Sequence, residues 1–198
     1  PNQSLTKLAW LLANTSDAAS RDLCFGTIDS WIAWTLTEGA IHVSDGTNMS
    51  TTTTGMRVAD SSDWAFDRLE HFGISAARAE RMLPRVVDSA GVVGRATALP
   101  GAPPIAAMIG DQQASLVGQA CIRPGLAKLT LGTGGMLDLV TGATAPTEIR
   151  RNPAGTYALP VWQLGNALTW GAEGIILSAG TNIEWLRDDL GLIDTSEH

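Results

Sequence analysis

Apolar side chains recur every three or four residues near the start of the chain. They are Leu5, Leu8, Leu11 and Leu12. With Ser4 as a favoured helix-start residue, this pattern predicts a helix over 4–14. A second repeat over 25–36 predicts a helix that ends near Glu38–Gly39, where glycine readily adopts a left-handed cap. A short strand is expected over 41–43.

The next part of the chain alternates polar and amphipathic stretches. Ser, Thr, Asp, Asn and Gly dominate 44–54 and bond to their own backbone, which predicts a loop or a helix start on the surface. Asp63 is placed to cap a helix that Gly73 ends, and Ser75 opens a further helical turn. Residues 60–83 are therefore expected to be mostly helical.

Short apolar runs separated by glycine dominate the second half of the chain. The predicted elements are a buried strand over 105–109, a helix over 112–119, paired strands over 126–131 and 136–140, a further pair over 156–159 and 167–170, and a helix over 174–190. Strands mixed with helices in this way predict an α/β protein.

The composition narrows the class of protein. The chain has 198 residues, 44% hydrophobic and 17% charged, which is typical of a folded protein with one large domain or two parts. The formal net charge of −7 and the lack of a basic stripe exclude a nucleic-acid partner. Apolar runs fall far short of the roughly 20 residues of a membrane span, so a cytoplasmic protein without membrane contact is expected.

The cysteines and histidines lack metal-ligand spacing. Cys24 and Cys121 lie far apart without a CxxC motif, so they are predicted to be buried free thiols, and no metal site is expected. His42 and His71 stand alone, and without a GxSxG elbow a hydrolytic triad is not expected. Three tryptophans at helical apolar positions are predicted to lie in the core: Trp10, Trp31 and Trp185.

A carboxylate at the end of an apolar strand is the first candidate for chemistry. Asp111 follows Gly110 and precedes Gln112 and Gln113, whose amides can hydrogen-bond a hydroxylated ligand. In open α/β sheets, ligands bind beyond the carboxyl ends of the strands. Spacing alone favours the alternative that Asp111 only caps the next helix, because Asp is a preferred cap.

Glycines mark a second candidate region. In the turn 132–135, successive backbone amides can form an anion-binding nest and Thr133 can add a hydroxyl donor, although a hairpin turn without a ligand fits equally well. Gly180 lies inside a predicted helix, where glycine costs roughly 1 kcal/mol relative to alanine. Close packing of the helix and contact with a ligand explain the glycine equally well. Glu184 lies on the same helix face, where the alternative to a ligand contact is simple exposure to solvent.

Six segments in this order resemble the FGGY carbohydrate kinases, and within that family they are most similar to the glycerol kinases. The segments are 6–11 (TKLAWL), 25–31 (FGTIDSW), 45–50 (DGTNMS), 110–114 (GDQQA), 131–134 (LGTG) and 179–188 (AGTNIEWLRD). The most specific match is GDQQA, since xylulose kinases tend to carry another residue after the aspartate.

The resemblance implies an actin-like (ribonuclease H-like) ATPase fold whose two domains close on a substrate and ATP with Mg²⁺. It implies an internal fragment, with the end of the substrate-side domain over 1–119 and the start of the nucleotide-side domain over 120–198. The family's amino-terminal DxGTT phosphate loop has no counterpart here, so the fragment alone is not expected to catalyse.

Roles follow from the same resemblance. Asp111 takes the proton from the attacking hydroxyl, and Gln112 holds the polyol. The nucleotide side is implied for Thr133, Gly134, Gly180 and Glu184. Asn2 and Met136 stand on the substrate side where glycerol kinases place Tyr and Phe, and Glu184 where they place Gln.

The expected reaction is ATP-dependent phosphorylation of a polyol hydroxyl, with glycerol favoured. Asn2 and Met136 replace two aromatic side chains of the substrate pocket, which leaves room for a larger polyol or ketose. A pentulose or tetritol kinase is therefore one alternative. A non-catalytic sugar- or nucleotide-binding module is another. The expected partners are small molecules, and a homo-oligomer is left open.

Overall fold

The computed structural model describes residues 4–18, 20–52, 64, 66–147, 151–165 and 167–195. Its helices are α1 Ser4–Asn14, α2 Ile28–Leu36, α3 Gly46–Thr52, α4 Phe66–Glu70, α5 Ala76–Met82, α6 Asp111–Gly118 and α7 Gly180–Glu184, and a π-helical turn, Trp185–Asp189, follows α7. Its strands are β1 Val43–Asp45, β2 Arg85–Val87, β3 Ala90–Arg95, β4 Pro104–Ala107, β5 Ala127–Leu131, β6 Gly135–Gly142, β7 Thr156–Leu164 and β8 Ala167–Ile176.

The described strands form three sheets. β1 pairs in parallel with β2, and the helices α3 to α5 supply the crossover that a parallel pair requires. β3 and β4 form an antiparallel pair. The last four described strands form an antiparallel sheet in the order β5-β6-β8-β7, in which β8 lies between β6 and β7.

Apolar burial ties these parts together. Leu5 and Leu8 of α1 share one cluster with Leu168 and Trp170 of β8, so the first helix and the last strand contribute to one core. A separate cluster joins α6 to the four-stranded sheet through Leu116, Cys121, Val140 and Val161. Packing of α6 on that sheet fixes where its first residue stands.

Several predicted elements are confirmed. α1 has the predicted bounds, and α2 ends before Glu38 and Gly39, which have φ angles of 52° and 86°. The hairpin around 132–135 and the β7–β8 pair form as predicted, although β7 and β8 are longer. These elements depend on local periodicity and turn residues, which a sequence displays directly.

The predicted helix over 174–190 is wrong at its start. β8 continues to Ile176, because Ile175 and Ile176 pair with Met136 and Gly135 of β6, and α7 begins only at Gly180. Gly180 therefore opens a helix and does not interrupt one. A short run of β-branched residues fits either element, and the pairing partner decides between them.

Burial was predicted wrongly in two segments. The strand predicted over 105–109 is β4, which is largely exposed because β3 is its only pairing partner among the described strands. The segment 44–54, expected on the surface, contains the almost fully buried Ser44, Asp45 and Thr47, and the strand expected over 41–43 is shifted to β1. Mutual hydrogen bonds permit this burial of polar atoms.

The tryptophan and cysteine predictions also need correction. Trp10, Trp31 and Trp185 are 64%, 66% and 50% exposed. Smaller residues supply the buried faces of α1 and α2, and the π-helical turn that contains Trp185 has no buried residue. Cys24 is exposed and Cys121 buried, and both are free thiols. Asp63 lies outside the described residues, as does the cap predicted for it.

No helix among the described residues combines the length and apolar character that a bilayer crossing requires. The same residues contain no group of three or more His, Cys, Asp or Glu side chains that could hold a metal ion.

Candidate active site

Asp111 is among the residues that line a cavity of about 850 Å³. The cavity is lined by α1, by α2 and the segment that leads into it, by Asn48 of α3, and by Ile109–Asp111. Its walls come from elements far apart in sequence, and Lys7 and Asp29 bring charged groups to it. The Asp29 carboxylate accepts hydrogen bonds from the hydroxyls of Thr27 and Ser44.

The Asp111 side chain does not cap α6. Asp111 is the first residue of the helix, after the N-cap Gly110, and no side-chain cap hydrogen bond forms there. Its Oδ1 accepts a 2.8 Å hydrogen bond from the amide of the next residue, Gln112, and the side chain is exposed among the residues that line the cavity. The alternative that Asp111 only caps the helix is therefore wrong, and its carboxylate is accessible from the cavity.

The residue before Asp111 is held by α3. The amide of Gly110 donates to Oγ1 of Thr47 at 2.8 Å, and that hydroxyl donates to Oδ1 of Asp45 at 2.8 Å. Asp45 is fully buried and also accepts from the hydroxyl of Ser89 at 2.6 Å and from both amides of Asn48. Sequence reasoning placed Asp45, Thr47 and Asn48 in a motif but gave them no role, because the distant residues that bind them, Ser89 and Gly110, lie 44 and 63 positions away from Asp45 and Thr47.

The residue after Asp111 is held by the four-stranded sheet. The side-chain amide of Gln112 contacts the sulfur of Met136, and Nζ of Lys128 donates to the Gln112 carbonyl at 3.4 Å. The next residue, Gln113, is buried and donates to the carbonyl of Pro160 at 3.4 Å. The start of α6 is thus joined to strands β5, β6 and β7.

The glycine-rich turn and the start of α7 form one backbone unit. The amide of Gly180 donates to the Gly132 carbonyl at 2.8 Å, and the carbonyl of Thr133 accepts from the amide of Ala179 at 2.8 Å and from the hydroxyl of Thr181 at 3.0 Å. The Thr133 side chain is exposed. The close approach of the Gly132 carbonyl explains why residue 180 is a glycine.

The structure brings the sequence-predicted residues together in two groups. Gln112, next to Asp111, contacts Met136, and Gly180 binds Gly132 in the turn that also contains Thr133 and Gly134. Met136 directly follows the 132–135 turn, so one hairpin touches both groups. Glu184 is exposed at the end of α7, and Asn2 lies outside the described residues.

A row of polar side chains crosses the four-stranded sheet and was missed by sequence reasoning. Lys128 faces Asp138 across β5 and β6, Asp138 faces Glu173 across β6 and β8, and Glu173 faces Tyr157 across β8 and β7. Nζ of Lys128 lies 2.8 Å from Oδ2 of Asp138, and both side chains are 2% exposed. The Tyr157 hydroxyl donates to Oε1 of Glu173.

Burial shifts the pKa of two members of this row. Burial raises the pKa of Glu173. Burial, together with the hydrogen bond to Glu173, also raises the pKa of Tyr157, so its hydroxyl keeps its proton. The sequence signal was a set of charged residues inside otherwise apolar strands, but only the strand register shows that they meet.

Comparison with known proteins gives a consistent family. The model of the FGGY family of carbohydrate kinases, N-terminal domain, matches residues 1–118. A curated relative named glycerol kinase, from Alkalilimnicola ehrlichii, is 41% identical over 204 residues, which covers 100% of this chain and 39% of that protein. The chain therefore spans about two fifths of the length of this relative.

Solved structures agree. Glycerol kinase from Plasmodium falciparum, crystallised with ADP, has a TM-score of 0.80 and 26% identity over 96% of this chain and 37% of its own. A protein named xyloylose kinase from Brucella ovis has a TM-score of 0.76 and 25% identity over 95% of this chain and 36% of its own. These similarities confirm the expected α/β, actin-like fold.

Proposed function

Because the chain belongs to the FGGY family of carbohydrate kinases, we propose that the full-length protein containing it transfers a phosphoryl group from ATP to a polyol hydroxyl, with glycerol as the favoured acceptor. The observation that carries this proposal is the contact of Gln112 with Met136. It sets residues 110–112, called the Asp111 loop from here on, against the hairpin whose turn contains Thr133 and Gly134. An acceptor beside Asp111 would therefore adjoin a glycine-rich turn suited to phosphate oxygens.

Asp111 is the proposed base. Phosphoryl transfer asks a protein mainly for positioning and charge stabilisation, with one carboxylate to orient and deprotonate the attacking hydroxyl. The exposed Asp111 carboxylate among the residues that line the cavity suits that task, and the Gln112 amide fixes one of its oxygens. Gln112 itself is proposed to bind a substrate hydroxyl, and Met136 and Asn2 to border the same substrate.

The nucleotide side is proposed to consist of Thr133, Gly134, Gly180 and Glu184. ATP supplies the phosphoryl group when bound. The exposed Thr133 hydroxyl provides a donor for a phosphate oxygen, while Glu184 adds a negative charge that requires a compensating cation. We assign that role to Mg²⁺ carried by the ATP phosphates, because Mg²⁺ is usually held through substrate phosphates and one or two carboxylates.

The proposed domain boundary lies between residues 119 and 120, just after α6. In this arrangement the substrate side comprises 1–119 and the nucleotide side begins at 120. We further propose that the full-length protein acts in the cytoplasm on small molecules.

A second candidate function is phosphorylation of a pentulose or a tetritol. It is favoured by Met136, which gives a less rigid wall than an aromatic ring, and by the similarity to the protein named xyloylose kinase. The third candidate, a non-catalytic binding module, keeps the same fold without turnover.

One experiment separates the three. The full-length protein is assayed for ADP release with glycerol, erythritol, ribulose and xylulose, and specificity is read from the ratios of kcat/KM. The proposal expects the highest value with glycerol. A higher value with erythritol or with a ketose supports the second candidate, and calorimetric binding of a polyol without any ADP release supports the third.

A further inference from the structure

We propose that Thr47 and Lys128 are positioning residues that hold the Asp111 loop from its two sides, each fixed in turn by a buried carboxylate. The inference rests on the proposed kinase function and deepens it, because it assigns the groups that place the base. Neither residue has to touch the substrate for this role.

The first side is the bond from Gly110 to Thr47. It joins residues 63 positions apart at 2.8 Å, and it places a neutral acceptor on the amide just before the proposed base. Thr47 is 1% exposed, and its hydroxyl proton points to Asp45 at 2.8 Å, which leaves the oxygen lone pairs for Gly110. Asp45 therefore fixes the direction in which Thr47 accepts.

The second side is the bond from Lys128 to the carbonyl of Gln112, the residue just after the proposed base. The ammonium group lies 3.4 Å from that carbonyl oxygen and 2.8 Å from Oδ2 of Asp138. A buried ion pair is weak support for stability, because desolvation offsets much of the attraction between the charges. The second contact of Lys128, to the Gln112 carbonyl, gives the ion pair a positional role.

Together the two bonds hold the residues on both sides of Asp111. One binds the amide of Gly110 and the other the carbonyl of Gln112, while the Asp111 side chain between them stays exposed. A misplacement of about 1 Å at a reacting group costs up to about 10²-fold in rate. Loss of either bond is therefore expected to lower the rate of the chemical step more than the affinity for ligands.

The first test is Thr47→Val in the full-length protein, with Thr47→Ser as the conservative variant. Valine keeps the shape and removes the acceptor, and Asp45 keeps its bonds from Ser89 and Asn48, so folding is expected. We expect kcat to fall about tenfold or more with little change in KM, and serine to restore most of it. The matched control is Thr144→Val, at an exposed loop position, which is expected to match wild type.

A double-mutant cycle separates positioning from a general structural role. If Thr47 acts through Asp111, adding Thr47→Val to Asp111→Asn lowers the residual rate by less than about twofold, because the two effects are coupled. If Thr47→Val lowers kcat by the same factor in the wild type and in Asp111→Asn, this role of Thr47 is overturned. A folded Thr47→Val protein with wild-type kcat would overturn it as well.

The second side is tested by Lys128→Met combined with Asp138→Leu. Replacing a buried ion pair by apolar residues is often neutral for stability, so a folded protein is expected with kcat lowered about tenfold or more. Wild-type kcat in a folded double variant would contradict the role of Lys128. If that double variant fails to fold, the alternative is Lys128→Gln combined with Asp138→Asn, which keeps two polar side chains facing each other. The glutamine is too short to reach the Gln112 carbonyl, so the same fall in kcat is expected.

The outcomes distinguish this inference from the proposed function. If wild type turns over and Asp111→Asn does not, but the Thr47 and Lys128 variants match wild type, only the positioning roles fail. A wild-type protein that releases no ADP with any of the four acceptors overturns both.

Discussion

The amide of Gly180 donates a 2.8 Å hydrogen bond to the carbonyl oxygen of Gly132, and a Cβ added to Gly180 would lie 2.7 Å from that same oxygen. Two chain segments that are 48 positions apart thus meet through bare backbone. The glycine requirement at this position follows from packing of the hairpin turn against the start of α7.

Gly180→Ala is expected to destabilise the protein. The new methyl group must displace backbone, which is rigid, so we expect a loss of about 1–3 kcal/mol in the free energy of unfolding. Thermal denaturation of the full-length variant measures the loss. The matched control is Gly118→Ala at the end of α6, where no atom lies within 4 Å of the added Cβ and stability is expected to stay equal or rise slightly. Equal melting temperatures for the two variants would contradict the packing account.

Met136→Phe is expected to change the choice of substrate. Met136 contacts Gln112, the residue proposed to bind a substrate hydroxyl, so a rigid ring there narrows the space beside it. We expect the ratio of kcat/KM for glycerol over xylulose to rise about tenfold, the scale of a small volume change in a pocket. Leu137→Phe, on the exposed opposite face of β6, is the control and should leave the ratio unchanged. An unchanged ratio in Met136→Phe would remove Met136 from the substrate side.

Glu173→Gln is expected to change how stability depends on pH. Burial raises the pKa of Glu173, so the folded state keeps a proton that the unfolded state releases, and stability falls as pH rises from the unfolded pKa through the raised value. Glutamine removes this titration and still accepts from the Tyr157 hydroxyl. The variant should therefore melt higher than wild type at pH 7, with the difference shrinking toward pH 4.

The control for that series is Glu80→Gln, on the exposed surface of α5, which should track the wild-type curve. Parallel melting curves for Glu173→Gln and wild type between pH 4 and pH 8 would contradict the role of burial at Glu173.

Local patterns explain what the sequence revealed of this fold. Helices α1 and α2 and the 132–135 hairpin were predicted well, because each is determined by residues close together in sequence. These are the spacing of Leu5 and Leu8, the left-handed conformation of Gly39 and the glycines of the turn. Asp111 was singled out by the same kind of local pattern, a carboxylate after an apolar run.

Long-range partners explain what the sequence did not reveal. The burial of Asp45 depends on Ser89, 44 positions away, and the meeting of Lys128 with Asp138 and Glu173 depends on strand register. Apolar spacing also predicted burial of Trp10 and Trp31, because it shows which residues share a helix face but not which face is covered. Pairing and packing decide these points, and both act between distant segments.

The central claim is that Asp111 is the base of a polyol kinase, and the most direct test is ADP release by the full-length Asp111→Asn protein with glycerol. Asparagine keeps the size of the side chain and an acceptor for the Gln112 amide, so the fold should be unchanged. The account predicts a fall in kcat of about 10²–10⁴, the usual contribution of a general base, with wild-type turnover in the exposed control Asp22→Asn. Wild-type turnover in a folded Asp111→Asn protein would contradict it.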